Sequence, residues 1–205
     1  REDELRTILE YCRRNGTWLL SDEVYSRLYF RGPRAPSFLD VADEEDRLVI
    51  VNSFSKAWNM TGWRLGWLVV PRAVHGAFTQ TIENNIANVP TFVQRAGIAA
   101  LDQGDEFVAG YQQRLADRRA RSLAGLSQFS RVSCAPPDGA FYVFFSVDGV
   151  SDSVEFSRDL LKRTRVGMAP GRAFGDGLES WLRLSFACSE ARLDEAFSRL
   201  APELG

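Results

Sequence analysis

Short apolar runs that alternate with helical patterns limit how this chain can fold more than any other feature. Three such runs stand at residues 17–21 (TWLLS), 47–54 (RLVIVNSF) and 63–70. Unbroken runs of this length are typical of strands buried on both faces, because a half-buried strand alternates apolar and polar residues. Helical patterns precede the first run and follow the third, over residues 72–86 and 91–103. This order predicts an α/β fold with a mostly parallel sheet.

The later part of the chain has a different pattern. Apolar residues recur at helical spacing from Asp105 to Ser127, which predicts a helix long enough to join two domains. Beyond it we predict strands at 131–134, 141–146, 166–169 and 181–187, with helices at 152–163 and from residue 190. We therefore expect three parts, namely residues 1–104 in a large domain, a connecting helix over 105–128, and a small α+β domain over 129–205.

Composition argues against two classes of partner. The 205 residues carry a net charge of −2, so the chain lacks the basic field that nucleic-acid binding needs. No apolar run approaches the roughly eighteen residues of a membrane span. The three cysteines form no C-x-x-C pair, which is typical of thiols in a reducing compartment. We expect a cytoplasmic protein that binds neither nucleic acid nor membrane.

Lysine is rare in this chain, since only Lys56 and Lys162 stand among its 25 basic residues. A lysine amine can lose its proton and attack a carbonyl group, whereas a guanidinium group stays charged. Lys162 lies on a polar helical pattern and is expected at the surface. Lys56 instead follows the second apolar run, as Asp22 follows the first. Because the carboxyl ends of parallel strands meet at one edge of a sheet, Asp22 and Lys56 could face one ligand.

A lysine and a carboxylate on opposite sides of a small ligand fit pyridoxal phosphate (PLP). This cofactor needs an amine for its aldehyde and an anion at its pyridine nitrogen. Ser53 and Arg64 could add a hydroxyl donor and a bidentate cation for its phosphate. An Asp after a strand is also a common turn residue, so Asp22 alone does not establish a PLP site.

Other chemistries fit the sequence less well. Ser53 and Lys56 match the S-x-x-K pattern of serine β-lactamases, but the accompanying S-D-N and K-T-G motifs are absent. The single histidine, His75, has neither a G-x-S-x-G motif nor metal-ligand spacing around it. We expect no metal site.

Four blocks of sequence, in a fixed order, carry a resemblance to a known family. They are SDEVY, SFSKAWNMTGWRLGW, PDGAFYVF, and APGRAFGDG with WLRLSFACS. With these blocks the chain resembles class I/II aminotransferases of PLP fold type I over nearly all its length. The resemblance implies part of the large PLP-binding domain followed by a small C-terminal domain. It also implies transfer of an amino group between an amino acid and a 2-oxo acid, by a homodimer in the complete protein.

The resemblance implies a catalytic role for three residues. Lys56 matches the lysine that forms a Schiff base with the cofactor and later moves the substrate proton. Asp22 matches the partner of the pyridine nitrogen. Tyr25 matches the tyrosine that hydrogen-bonds the cofactor's phenolic oxygen.

Binding roles follow from the same resemblance. Ser53 and Arg64 match ligands of the cofactor phosphate, and Ser55 lies close enough in sequence to contribute. Arg183, within WLRLSFA, matches the arginine that binds the substrate α-carboxylate, a task suited to its planar fork of donors.

Family features expected upstream of SDEVY are missing from this chain. They are a glycine-containing phosphate loop, an aromatic residue that stacks on the cofactor ring, and an asparagine near its phenolic oxygen. We therefore expect the chain to be the C-terminal half of such an enzyme, incomplete and inactive alone. Two alternatives stay open, namely a PLP-sensing domain of a transcription regulator and a PLP-dependent lyase of the same fold.

Overall fold

The first helix, α1 (Glu2–Asn15), follows directly from the helical pattern at the start of the chain. A computed structural model describes residues 1–205. Acidic residues occupy the first turn of α1 and basic residues its last turn, an arrangement that complements the helix dipole. Gly16 ends the helix with a left-handed φ of 60°. The buried face of α1 carries Leu9 into a cluster with Phe38 and Ile50, which attaches the helix to the sheet.

Strands β1 (Leu19–Asp22), β2 (Leu48–Ser53) and β3 (Gly66–Val69) form one sheet in that order. β1 runs parallel to β2, whereas β3 runs antiparallel to it. The prediction of a mostly parallel sheet is therefore wrong for these strands. A parallel return needs a crossover connection, usually a helix, whereas residues 54–65 fold as turns with one short 3-10 helix (Thr61–Trp63).

Burial differs between the strands of this sheet. The first three residues of β2 are buried, as its continuous apolar run predicts. β1 is not buried on both faces, because Leu20 is 66% exposed while Leu19 packs toward the α1 cluster. In β3 only Trp67 is partly covered. One face of the sheet is thus open at β1 and β3.

Three helices complete the first part of the chain, α2 (Arg72–Ile86), α3 (Thr91–Gln103) and α4 (Asp105–Leu126), and all three match their predicted positions. Pro71 and Pro90 stand immediately before α2 and α3, where a proline does not interrupt helical hydrogen bonds. α3 buries Val93, whereas α2 buries no side chain.

The chain separates into two compact units, residues 1–112 and 113–205, and the boundary lies inside α4. The predicted division at residues 104 and 128 stays a prediction. In the second unit, β4 (Val132–Cys134), β5 (Tyr142–Val147), β6 (Ala169–Pro170) and β7 (Trp181–Ser185) form an antiparallel sheet in the order β4-β5-β7-β6. Helices α5 (Ser153–Thr164) and α6 (Glu190–Leu204) complete it.

The sheet of the second unit has two unlike faces. In β5, Val143, Phe145 and Val147 are fully buried, and the residues between them are only partly covered. β7 repeats the alternation with Leu182 and Leu184 on its buried face. The other face therefore presents Tyr142, Phe144, Trp181 and Arg183.

None of the helices combines the length and the apolar character needed to cross a membrane.

Candidate active site

The carboxyl end of β1 places Asp22 at the edge of the first sheet. Asp22 is the last residue of the strand and pairs in register with Val51 of the parallel strand β2. The Oδ1 atom of Asp22 accepts a hydrogen bond of 3.2 Å from the backbone N–H of Val24. This turn geometry is common for Asp after a strand, and it leaves the Asp22 side chain exposed at the edge.

Lys56 lies in the turn that follows the neighbouring strand β2. Its Nζ atom is 5.6 Å from the centroid of the Tyr25 ring, within the range of a cation–ring contact. Tyr25 itself lies in the turn after β1, and both side chains are partly buried. The structure therefore brings together a lysine and a tyrosine that follow two different strands.

Ser53 and Ser55 form a hydroxyl pair where β2 ends. Their Oγ atoms are 2.8 Å apart, and the backbone N–H of Ser55 donates to Ser53 Oγ at 3.0 Å. Ser53 Oγ also lies 3.2 Å from the carbonyl oxygen of Leu65. Ser53 pairs in register with Gly66, where an added Cβ would lie 2.6 Å from the carbonyl oxygen of Asn52. Only glycine fits this close approach of the two strands.

Arg64 closes the same loop in a left-handed conformation with a φ of 53°. Its Nη1 atom donates to the carbonyl oxygen of Thr61 at 2.9 Å. The hydroxyl of Thr61 in turn donates to the carbonyl oxygen of Ser55 at 3.1 Å. The exposed guanidinium of Arg64 is thus tied by one donor to the loop that carries the serine pair.

A buried aromatic cluster supports the loop that carries Lys56. Phe54, Ala57, Trp58 and Met60 are all buried, and the centroids of the Phe54 and Trp58 rings are 5.0 Å apart. The indole N–H of Trp58 donates to the carbonyl oxygen of Ala100 at 2.9 Å, which joins the loop to α3. The residues on either side of Lys56 are therefore fixed by packing, while its side chain stays accessible.

Arg183 belongs to the second unit, on the central strand β7. It pairs with Phe144 of β5 and with Ala169 of β6. The Cζ atom of Arg183 lies 4.2 Å from the ring centroid of Tyr142 and 4.4 Å from that of Phe174. Neither aromatic residue is among the site residues predicted from the sequence. The alternation in FYVFF could have assigned Tyr142 to a strand face, but it carries no signal for Phe174.

Two ion pairs of the first unit contain carboxylates whose pKa is lowered. Two hydrogen bonds from the Arg34 guanidinium, helped by the backbone N–H of Ser37, lower the pKa of Asp40 to about 2. Hydrogen bonds from Arg13 lower the pKa of Asp46. The first pair lies within the connection between β1 and β2, and the second joins the end of α1 to the segment before β2.

A cleft of about 310 Å³ opens beside Ile50, Asn52 and Trp67, and none of the predicted site residues lines it. No group of three or more His, Cys, Asp or Glu side chains is placed to hold a metal ion. His75 is exposed on α2.

Comparison with known proteins assigns the family. The family model of class I and II aminotransferases matches residues 1–200. A probable aspartate/prephenate aminotransferase of Aquifex aeolicus is 33% identical over 210 residues, covering 99% of this chain and 53% of the relative. A valine–pyruvate aminotransferase of Mycobacterium tuberculosis is 37% identical over 205 residues, covering 97% of this chain and 51% of the relative.

Solved structures agree with this assignment. An aminotransferase from Mycobacterium tuberculosis superposes with a TM-score of 0.90 at 36% identity, covering 98% of this chain and 52% of that one. An aromatic aminotransferase from Pyrococcus horikoshii gives a TM-score of 0.92 at 30% identity, covering 98% and 55%. The predicted α/β fold is therefore the fold of aminotransferases.

The same alignments correct one expectation. The chain spans about half the length of the relatives it matches. The prediction that it is the C-terminal part of such an enzyme does not hold against these alignments. The family model matches this chain from residue 1. The alignments show that the chain covers about half of each relative, and they do not place it in the C-terminal part. With a family model that matches nearly the whole chain, the protein belongs to the class I and II aminotransferases.

Proposed function

We propose that the protein carrying this chain is a PLP-dependent aminotransferase that moves an amino group between an amino acid and a 2-oxo acid. The proposal rests mainly on the contact between Lys56 and Tyr25, in which Nζ of Lys56 lies 5.6 Å from the centroid of the Tyr25 ring. This contact lies at the sheet edge where β1 ends in Asp22. The relatives named as aminotransferases support the reaction class. They favour it over a lyase or a PLP-sensing regulator.

The side chains at this edge fit PLP by their chemistry. An amine, a carboxylate and a phenol suit the aldehyde, the pyridine nitrogen and the phenolic oxygen of the cofactor. The hydroxyls of Ser53 and Ser55 and the guanidinium of Arg64 suit a phosphate group. When bound, the cofactor supplies a ring that accepts the electron pair left on the substrate carbon.

Lys56 has two tasks in this proposal. Its amine would hold the cofactor, because an amine is the group that suits the cofactor's aldehyde. The same amine would act as a general base when it takes the proton from the substrate α-carbon. It would act as a general acid when it later donates that proton again. The packed residues Ala57 and Trp58 keep the lysine backbone fixed during both steps.

Asp22 and Tyr25 adjust the cofactor from the turn after β1. The negative charge of Asp22 favours a protonated pyridine nitrogen, because an opposite charge nearby stabilises the charged form. In this proposal the Tyr25 hydroxyl would hydrogen-bond the phenolic oxygen of the cofactor. Arg183 binds the substrate α-carboxylate through two parallel N–H donors.

We also propose that the active protein is a homodimer. Helices α2 and α3 carry large apolar side chains that are exposed in the single chain, which is typical of surfaces that become covered on assembly. They are Ile82, Ile86, Phe92, Ile98 and Leu101, with exposed fractions from 42% to 70%. Because the chain spans about half of its relatives, we assign activity to the whole protein and not to these 205 residues alone.

An amino-transfer assay tests the proposal. The full-length protein is incubated with PLP, an amino acid and a 2-oxo acid, and the new amino acid is quantified. We expect Lys56→Ala to abolish transfer and the control Lys162→Ala, which removes the only other lysine, to retain it. Transfer by Lys56→Ala at the wild-type rate would refute the proposal.

A further inference from the structure

We propose that Tyr142 and Phe174 are positioning residues that hold the Arg183 guanidinium ready for the substrate carboxylate. The inference rests on the proposed function of Arg183. In it, Tyr142 and Phe174 fix the direction of the Arg183 side chain.

The guanidinium of Arg183 lies over the faces of two aromatic rings. Its Cζ atom is 4.2 Å from the Tyr142 centroid and 4.4 Å from the Phe174 centroid. Both distances are well inside the roughly 6 Å within which a cation is attracted by a ring face. Tyr142 reaches this position because it lies on the same face of β5 as Phe144, two residue pairs away from the pairing of Phe144 with Arg183.

Contact with ring faces leaves the donors of Arg183 available. The five N–H groups of a guanidinium lie in its plane and point outward from its edge. None of the salt bridges in the structure involves Arg183, so no acidic side chain occupies these donors. The rings therefore restrain the side chain without using the groups that would bind a carboxylate.

The ring of Phe174 is held in place by its own surroundings. It packs edge-on against Phe144 with centroids 5.7 Å apart, and Phe144 stacks on Trp181 at 5.0 Å. Phe174 ends the short 3-10 helix that begins at Gly171. A Cβ at Gly171 would lie 2.6 Å from Cβ of Trp181, so this glycine allows the turn to approach β7 closely.

A backbone hydrogen bond fixes the same turn from the other side. The N–H of Arg172 donates to the hydroxyl of the fully buried Ser153 at 3.1 Å. The turn that carries Phe174 is therefore attached both to β7 and to the start of α5. An arginine held by such rings loses less freedom when a carboxylate binds, which raises its affinity without a new contact to the ligand.

The test measures the affinity of two small probes for the full-length protein loaded with PLP. The first probe is 2-methylalanine, an amino acid that cannot react further because its α-carbon carries no hydrogen. The second is tert-butylamine, which has a methyl group in place of the carboxylate and, like the first probe, carries no hydrogen on the carbon next to the amine. Isothermal titration calorimetry gives both dissociation constants.

The variants are Phe174→Leu and Tyr142→Leu, with Phe174→Tyr and Tyr142→Phe as conservative replacements that keep a ring. Phe107→Leu is the matched control, since Phe107 and Phe174 are both 45% exposed. We expect each leucine variant to weaken binding of 2-methylalanine by about threefold to tenfold, the size of one cation–ring contact. Binding of tert-butylamine should change by less than about twofold. The conservative variants and Phe107→Leu should bind both probes as the wild type does.

Arg183→Lys separates failure of this inference from failure of the proposed function. If Arg183→Lys weakens binding of 2-methylalanine but both leucine variants bind it normally, the positioning role is refuted and the role of Arg183 stands. If Arg183→Lys binds it normally, both are refuted. Equal weakening of the two probes by the leucine variants would also refute positioning, because such a loss does not involve the carboxylate.

Discussion

The Nζ atom of Lys56 lies 5.6 Å from the centroid of the Tyr25 ring, although the two residues follow different strands. The parallel pairing of β1 with β2 brings the two turns to one edge. Lys56 is partly buried, lies beside the phenol of Tyr25 and is near the end of β1, which finishes in Asp22. This arrangement suits a cofactor that carries a carbonyl group.

Tyr25→Phe tests the hydroxyl of this pair while keeping its ring. We expect the cofactor to stay bound and kcat/KM for amino transfer to fall by about tenfold to a hundredfold, since a hydrogen bond to a charged group contributes about 1.5–3 kcal/mol. Steady-state kinetics on the full-length protein provides the measurement. Unchanged kcat/KM would remove the Tyr25 hydroxyl from the mechanism.

Asp22→Asn should preserve the fold and slow the chemistry. The asparagine oxygen can still accept the hydrogen bond from the Val24 N–H, so we expect an unchanged melting temperature. Without the negative charge, each half-reaction should slow by about 10²- to 10³-fold, as when a charge-stabilising group is removed. Single-turnover kinetics measures this, with the exposed Asp176→Asn as control. Equal slowing in both variants would argue against a specific role for Asp22.

Asp46→Asn tests the ion pair that attaches the end of α1 to the segment before β2. The Asp46 carboxylate is buried, and Nε and Nη2 of Arg13 each donate to it at 2.6 Å. Hydrogen bonding from Arg13 lowers the pKa of Asp46, so its stabilising effect is complete above the unfolded value near 4 and is lost as pH falls below it. At neutral pH we expect Asp46→Asn to lower the free energy of unfolding by about 1–3 kcal/mol.

Urea unfolding at several pH values checks this prediction. The difference between wild type and Asp46→Asn should shrink as the pH is lowered from about 6 to about 3, because the wild-type carboxylate becomes protonated. Glu44→Gln, at an exposed position in the same loop, should show little difference at any pH. A difference that stays constant with pH would contradict the assignment.

Gly66→Ala tests the close approach that fixes the serine pair. A Cβ at Gly66 would lie 2.6 Å from the carbonyl oxygen of Asn52, so the strands must move apart. We expect a loss of about 1–3 kcal/mol in unfolding free energy and weaker PLP binding. Gly76→Ala is the control, because nothing lies within 4 Å of its added methyl group in α2. That change should stabilise the protein by about 0.5–1 kcal/mol, and the opposite order of the two variants would disprove the packing argument.

Local sequence patterns predicted the elements of this fold well. The helical patterns gave α2 and α3 with their bounds, because apolar spacing and the preceding prolines mark a helix directly. The general rule for parallel strands also predicted that the turns after β1 and β2 lie at one edge, where Tyr25 contacts Lys56. These predictions need only neighbours in sequence or a rule about sheet edges.

Relationships between distant segments could not be predicted in the same way. The antiparallel direction of β3 depends on how residues 54–65 fold, and no periodicity encodes that loop. The exposure of Leu20 depends on what packs on the face of β1, which its apolar run alone does not specify. The contact of Phe174 with Arg183 depends on a turn held by Gly171 against Trp181, a fit that appears only when the chain is folded.

Locating the covalent bond between the protein and its cofactor tests most directly whether Lys56 holds PLP. The full-length protein is loaded with PLP, reduced with sodium borohydride and digested, and the modified peptide is identified by mass spectrometry. We expect a pyridoxyl group on Lys56, in the peptide that contains SFSK. A label on Lys162, or no label on any peptide of this chain, would contradict it.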